Sequence, residues 1–156
     1  MKLKHLLSAS LCAVLFLGSI TKTHAQDYKS SLGLGLDFGS GATFVGPSYK
    51  HFFNPRSAFQ GEVLFASGSS LIQAFYQYHL PIKEAPELKF YFGGGAGFNI
   101  VQGGSAFLLR PVSGLDYKLK QAPLVLNFDW RPVLILVDEV SAFEPVRFGL
   151  GLKYSF

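Results

Sequence analysis

Cysteine and methionine each occur once in the 156 residues, as Cys12 and Met1, and both fall within the first 25. Residues 26–156 therefore contain no thiol, and no disulfide framework braces them. Histidine is scarce there too. His51 and His79 are the only two, which leaves no metal-ligand cluster of the usual His/Cys kind. No metal, cofactor or catalytic motif is expected. Only 15% of the chain is charged, and no stretch of residues 26–156 approaches 18 apolar residues, so no transmembrane helix is expected. Acidic residues are absent from residues 1–25, which hold Lys2, Lys4 and Lys22 out of the 14 Lys/Arg. Eleven bases then face ten acids in the rest, so the formal charge of +4 does not describe a basic nucleic-acid binder.

Residues 1–25 place Lys2 and Lys4 before an apolar centre from Leu6 to Ile20, then end Thr23-His24-Ala25. This is the layout of a secretory signal peptide cleaved before Gln26. Ser8, Ser10 and Ser19 interrupt the apolar stretch, which is short for a spanning helix of ~20 residues. Leu11 stands before Cys12 where a lipid-attachment signal needs a small residue. The expected division is a leader over 1–25 and one domain over 26–156.

What is abundant is alternation. Leu32, Leu34, Leu36 and Phe38 share one face of a segment whose other face is Gly33, Gly35, Asp37 and Gly39. Val146 to Phe156 repeats the pattern, with Val146, Phe148, Leu150, Leu152, Tyr154 and Phe156 on one side. A period of two over about ten residues is a strand. Eight such segments are expected, at roughly 31–39, 44–53, 58–66, 71–80, 89–100, 106–118, 124–132 and 146–156. Short connections rich in Gly, Pro, Ser and Asn read as hairpin turns. Pro47 and Pro111 fall inside strands and should each mark a bulge or a shortened strand.

Two patterns choose the architecture. The polar face is rich in glycine with single charges spaced along it, as a narrow crowded lumen requires. The apolar face carries the aromatics, sorted by strand: Phe38, Phe65, Phe98 and Trp130 at the far ends of odd strands, and Tyr49, Tyr78, Tyr117 and Tyr154 at the far ends of even strands. In an up-and-down meander these form two girdles at opposite rims of an apolar band. Ten residues at ~3.3 Å, tilted by ~40°, rise about 25 Å, the height of such a band. The expected fold is all-β: an eight-stranded antiparallel up-and-down transmembrane β-barrel with a side-chain-filled lumen. A porin-sized channel is excluded, because sixteen strands of that length need about 160 residues.

With these residues the chain resembles the small outer-membrane β-barrel proteins of Gram-negative bacteria, the class that includes OmpX and the membrane domain of OmpA. The terminal strand Gly149-Leu150-Gly151-Leu152-Lys153-Tyr154-Ser155-Phe156 carries the resemblance most specifically. Leu150, Leu152, Tyr154 and Phe156 look like the signal read by the barrel-assembly machinery. The resemblance implies residence in the outer membrane, both termini and the Tyr rim in the periplasm, and external loops at 39–43, 67–70, 101–105 and 133–145. It also implies lipid, lipopolysaccharide and the assembly machinery as partners, with no nucleic acid. Only 133–145 has the length usual for an external loop of the class.

The phase then assigns an inward set. Its charged members are Asp37, Lys50, Glu62, Arg110, Asp116, Asp129, Arg131, Arg147 and Lys153. Its neutral members are Gln73, Gln77, His79, Tyr91, Asn99 and Asn127. Four acids against five bases read as a paired network filling the lumen. The role expected is structural or in envelope maintenance, with no large channel. Two alternatives stand beside it. A barrel enzyme modifying lipid A or lipopolysaccharide would need a serine, His51 or His79, and an acid such as Glu62 brought together at the wall or rim. A soluble lipocalin-like ligand barrel would usually begin with Gly-x-Trp, where this chain has Leu34-Gly35-Leu36.

Overall fold

A computed structural model describes residues 28–137 and 140–156. The leader expected over 1–25 lies outside the described residues. The elements are β1 (Ser30–Gly39), β2 (Phe44–Phe52), β3 (Ser57–Ala66), β4 (Ser69–Ile82), β5 (Ala85–Val101), β6 (Gly104–Lys118), β7 (Leu124–Trp130), β8 (Val133–Val137), β9 (Val140–Glu144) and β10 (Arg147–Ser155). Every pairing is antiparallel. β1 pairs with β10 and β5 pairs with β6, so the sheet closes on itself. β7 and β8 both pair with β6 in one unchanged register. They are one stave interrupted at Arg131-Pro132. β9 and β10 likewise form the last stave, against β8 and β7. Ten segments thus build a closed barrel of eight staves.

Closure leaves no free edge, so each backbone group must find a partner inside the sheet or from a side chain. The prolines test this. Across Pro47 the β2–β3 register is the same on both sides, although pairing skips from Val45–Phe65 to Ser48–Glu62. Across Pro111 the β5–β6 register also continues unshifted. The bulges expected at Pro47 and Pro111 are absent: each proline costs a ladder bond but inserts no residue. The register of β6 against β7 and β8 puts Pro111 opposite Pro132, where neither can donate. The carbonyl of Arg131 beside this gap accepts instead from Arg110 Nη2 at 2.9 Å. The extra residue lies elsewhere. Between Arg131–Arg147 and Val133–Glu144 the last stave carries Pro145 and Val146, while the facing stave carries only Pro132. Trp130 Nε1 donates to the Pro145 carbonyl at 2.7 Å and fastens that bulge.

The long external loop expected at 133–145 is also corrected. Val133-Leu134-Ile135-Leu136-Val137 pairs with Phe107–Leu109 of β6 and with β9, and extends the wall upward. Pro132 ends the ladder but not the stave. Of the other connections expected as loops, the turns reduce to residues 40–43, 67–68 and 102–103 at this loop rim. At the opposite rim, residues 53–56, 83–84 and 119–123 turn the chain. The chain ends meet there too: Ser30 N–H donates to the Phe156 carbonyl at 2.9 Å and Phe156 N–H to the Ser30 carbonyl at 2.8 Å.

Burial follows the alternation, but inside out. Along β2 each inward residue is buried or nearly so, and Val45, Pro47 and Tyr49 are exposed. Large apolar side chains stand outside, among them Leu34 at 61% exposure and Phe98 at 51%. The lumen is layered. Phe44, Leu64, Leu71, Leu108 and Val133 form an apolar plug toward the loop rim, with Ala66, Ala106 and Ile135 against it. Polar and charged side chains fill the middle, where Phe75, Tyr91 and Val112 form a smaller apolar contact.

Candidate functional site

The inward face of each stave delivers charges to the lumen axis because inward positions recur every second residue. All nine charged residues assigned to the lumen from the sequence are buried there. They divide into two groups along the axis. In the larger, Asp37 accepts from Arg110 Nη1 at 2.5 Å and from Arg147 Nε at 3.0 Å, with Arg147 Nη2 on the same oxygen. Glu62 accepts from Arg131 Nη1 at 2.7 Å, Gln73 Nε2 at 2.7 Å, Gln60 Nε2 at 2.8 Å and Ser48 Oγ at 2.8 Å. Asp129 accepts from Arg131 Nη2 at 2.7 Å, from Arg131 Nε and from Tyr91 Oη at 2.5 Å. Arg131 is therefore the hub: its fork binds Asp129, its remaining nitrogen binds Glu62, and its plane lies 5.1 Å over the Phe75 ring. Arg147 also donates from Nη1 to the carbonyls of Ser40 at 2.6 Å and Ala42 at 2.8 Å, which ties the first loop-rim turn to the lumen.

The smaller group lies toward the opposite rim. Asp116 accepts from Lys50 Nζ at 2.6 Å and from Tyr28 Oη at 3.3 Å, and lies 2.9 Å from His79 Nε2. Lys50 also stands 4.6 Å over the Tyr91 ring. Lys153 Nζ donates to Asn127 Oδ1 at 2.5 Å. Gln77 donates to Gln60 Oε1 at 3.4 Å. Asn99 is half-buried near the loop rim and bonds Ser69 Oγ at 2.5 Å.

Sequence reasoning missed Gln60, Ser48 and Tyr28 as members of the network, and the whole apolar plug. The same phase would have found most of them. Ser48 and Gln60 lie two residues from Lys50 and Glu62, and Phe44, Leu64, Leu71 and Leu108 sit at inward parity. Polarity alone hid them.

On the outer wall, Phe65, Phe98 and Trp130 stand exposed and Phe38 half-buried toward the loop rim. Tyr49 and Tyr117 stand exposed, and Tyr78 and Tyr154 half-buried, toward the opposite rim. Tyr76 joins them at 54% exposure. Leu150, Leu152 and Phe156 of the last stave are exposed on the same wall. A hollow of about 540 Å³ indents the wall over Gly61, Ala74 and Ala96, between Phe59, Ile72 and Phe98. Near the chain ends Ser30 Oγ lies 2.8 Å from His51 Nδ1, with Tyr49 Oη 3.3 Å from the same hydroxyl.

Replacing Arg131 with alanine leaves Glu62 and Asp129 buried without their principal cation. The expected loss is about 3–5 kcal/mol, read as a lower urea midpoint of the folded barrel in detergent. Unchanged resistance to urea would sink the network as a stabilising device. Gly149 supplies a second test, because a Cβ there would overlap the Arg131 guanidinium. With that group pinned by two acids, Gly149→Ala is expected to cost about 1–3 kcal/mol in the same assay.

No protein-family model matches the sequence, and no curated protein matches it as a relative. Solved structures do match in shape. A chain from a de novo design of transmembrane β-barrels superposes with a TM-score of 0.59 at 11% identity, over 84% of this chain and 98% of that one. Neisserial surface protein A matches at 0.48 and 16% identity, over 81% and 94%. The Yersinia pestis outer membrane protein Ail, in a phospholipid bilayer nanodisc, matches at 0.48 and 14%, over 83% and 100%. The chain has the closed eight-stranded architecture of a transmembrane β-barrel.

Proposed function

We propose that this chain is an integral outer-membrane β-barrel protein with a structural role in envelope maintenance and no large channel. One observation carries the reading: the charges are inside and the large apolar side chains are outside. In water such a wall would expose an apolar band around the whole barrel, far beyond the patch a soluble monomer tolerates. In a bilayer it is the favourable surface, and the buried charges avoid lipid. Export by the leader over 1–25, insertion by the assembly machinery through Leu150, Leu152, Tyr154 and Phe156, and contact with lipid and lipopolysaccharide belong to the same proposal. The soluble ligand-binding barrel has no such support, since its ligand would meet a lumen packed with ion pairs and an apolar plug.

The alternative of a barrel enzyme modifying lipid A or lipopolysaccharide has one observation in its favour, the Ser30–His51 contact at 2.8 Å near the chain ends. A nucleophile and base need an orienting acid, and among the described residues no carboxylate is recorded on His51. Ser30 is also buried. The structural role is therefore the better reading.

The wall itself provides the test. Leu34→Lys, at the middle of β1, is expected to cost about 2–4 kcal/mol in vesicles, because the ammonium must enter lipid. A soluble barrel would tolerate that lysine or gain solubility from it. Wild-type stability of Leu34→Lys, together with a chain that remains in the aqueous fraction, would overturn the proposal. Planar-bilayer recording on the folded chain is expected to show no large conductance steps.

A further inference from the structure

The charges outside the lumen are unevenly divided between the two rims. Lys29 precedes β1, Arg56 closes the β2–β3 turn, and Lys83 and Lys120 lie in the β4–β5 and β6–β7 turns. Every connection at the rim of the chain ends thus carries a base, spaced about two staves apart around the circumference. Lys29, Arg56, Lys83 and Lys120 are exposed. Among the described residues the acids at this rim are Glu84 and Glu87, and Glu87 is paired with Lys120 at 3.1 Å. At the opposite rim the turns 40–43, 67–68 and 102–103 hold no charge at all. Its one arginine, Arg147, is turned inward onto Asp37, and Glu144 is half-buried opposite the buried Val133.

We infer that the rim of the chain ends is a basic collar that binds the anionic phosphate headgroups of the surrounding phospholipid leaflet. The inference rests on the membrane reading above and adds a partner to it. Depth favours lipid over a soluble acidic partner. The bases stand one to five residues beyond the tyrosine belt, and Arg56 Nη1 donates to the Tyr78 hydroxyl at 3.3 Å, so the collar meets the belt at Arg56. Tyrosine hydroxyls sit at headgroup level with their rings toward the chains. Long Lys and Arg stems reach along apolar surface to place their charge in the same layer. A ring of cations at that depth meets phosphate on all sides, and attraction to anionic lipid grows with each base near the surface.

The test uses the full mature chain folded into mixed vesicles of phosphatidylcholine and phosphatidylglycerol, with spin-labelled lipids reporting which headgroup adjoins the barrel. The expected result is about fivefold enrichment of phosphatidylglycerol at the protein, diminishing as salt is raised. Combined Lys29→Gln, Arg56→Gln, Lys83→Gln and Lys120→Gln should bring the ratio close to parity, while Glu144→Gln at the other rim leaves it high. Equal association of both lipids with the wild type, or enrichment that survives the fourfold change or high salt, would overturn the collar. Should the fourfold variant not fold, the salt titration and the single Lys29→Gln and Lys83→Gln variants decide, each lowering the ratio if the collar exists. A chain that inserts into neither lipid overturns the membrane reading itself, which keeps the two failures distinct.

Discussion

Arg131 is the residue on which the interior turns. A barrel of eight staves encloses a lumen only wide enough for side chains, and this chain sends four carboxylates and five cationic groups into it. Each ion would be prohibitive alone in that space. Arg131 resolves two of the acids at once, with its fork on Asp129 and its outer nitrogen on Glu62. Its neighbours follow from that placement. Gly149 must lack a side chain beneath the guanidinium. Gln73 donates to the same Glu62 oxygen that Arg131 holds, while its amide oxygen accepts from Arg110. Arg110 then holds Asp37 and spends its other nitrogen on the carbonyl of Arg131 itself, at the gap opened by Pro111 and Pro132. The side-chain network and the broken backbone ladder complete one another.

This arrangement divides the sources of stability differently from a soluble domain. There is no single buried apolar core; the described clusters are a plug of five residues near one rim and three residues around Phe75. Closure supplies backbone hydrogen bonding, since β1 meets β10 and β5 meets β6 without an edge. Charge pairing supplies the specificity of the interior. The apolar surface that would ordinarily be the core is the outer wall. That inversion accounts for the composition: half of the residues are hydrophobic, yet the charged fraction that remains is largely interior or at the ends.

Much of this was legible because a strand's parity is rigid. Once Asp37 and Arg147 are placed inward, Leu36 and Phe148 can only point out, and the same holds along every stave. Closure and the number of staves followed from strand length against chain length. What parity does not carry is where a stave stops. The seventh strand is expected to end at 132, but the donor missing at Pro132 is a local loss beside which Arg110 bonds the Arg131 carbonyl, and Val133–Val137 continues the wall. For the same reason neither Pro47 nor Pro111 marks the bulge that is one of its two expected effects, while the inserted residue lies at Pro145-Val146, at the boundary between the expected loop and the last strand, where alternation has no earlier period to break. The partner choices within the lumen depend on the stagger between staves. Lys50 meets Asp116, 66 positions away, a pairing that no local spacing encodes.

The plug and the network together decide where function can reside. A solute entering at the loop rim meets Phe44, Leu64, Leu71, Leu108 and Val133. One that passed them would have to separate Asp37 from Arg110 and Arg147, then Glu62 and Asp129 from Arg131, each separation leaving a buried charge unpaired. Passage through the lumen is therefore opposed by the same contacts that hold the barrel closed. Recognition is left to the outer wall and the rims, and there the chain is plain on one side and chemically distinctive on the other. Among the described residues, the loop-rim turns 40–43, 67–68 and 102–103 are short and uncharged. The rim of the chain ends gathers Tyr49, Tyr78, Tyr117 and Tyr154 with the exterior bases. Among the described residues, the titratable chemistry of the outer surface is therefore concentrated at the rim of the chain ends.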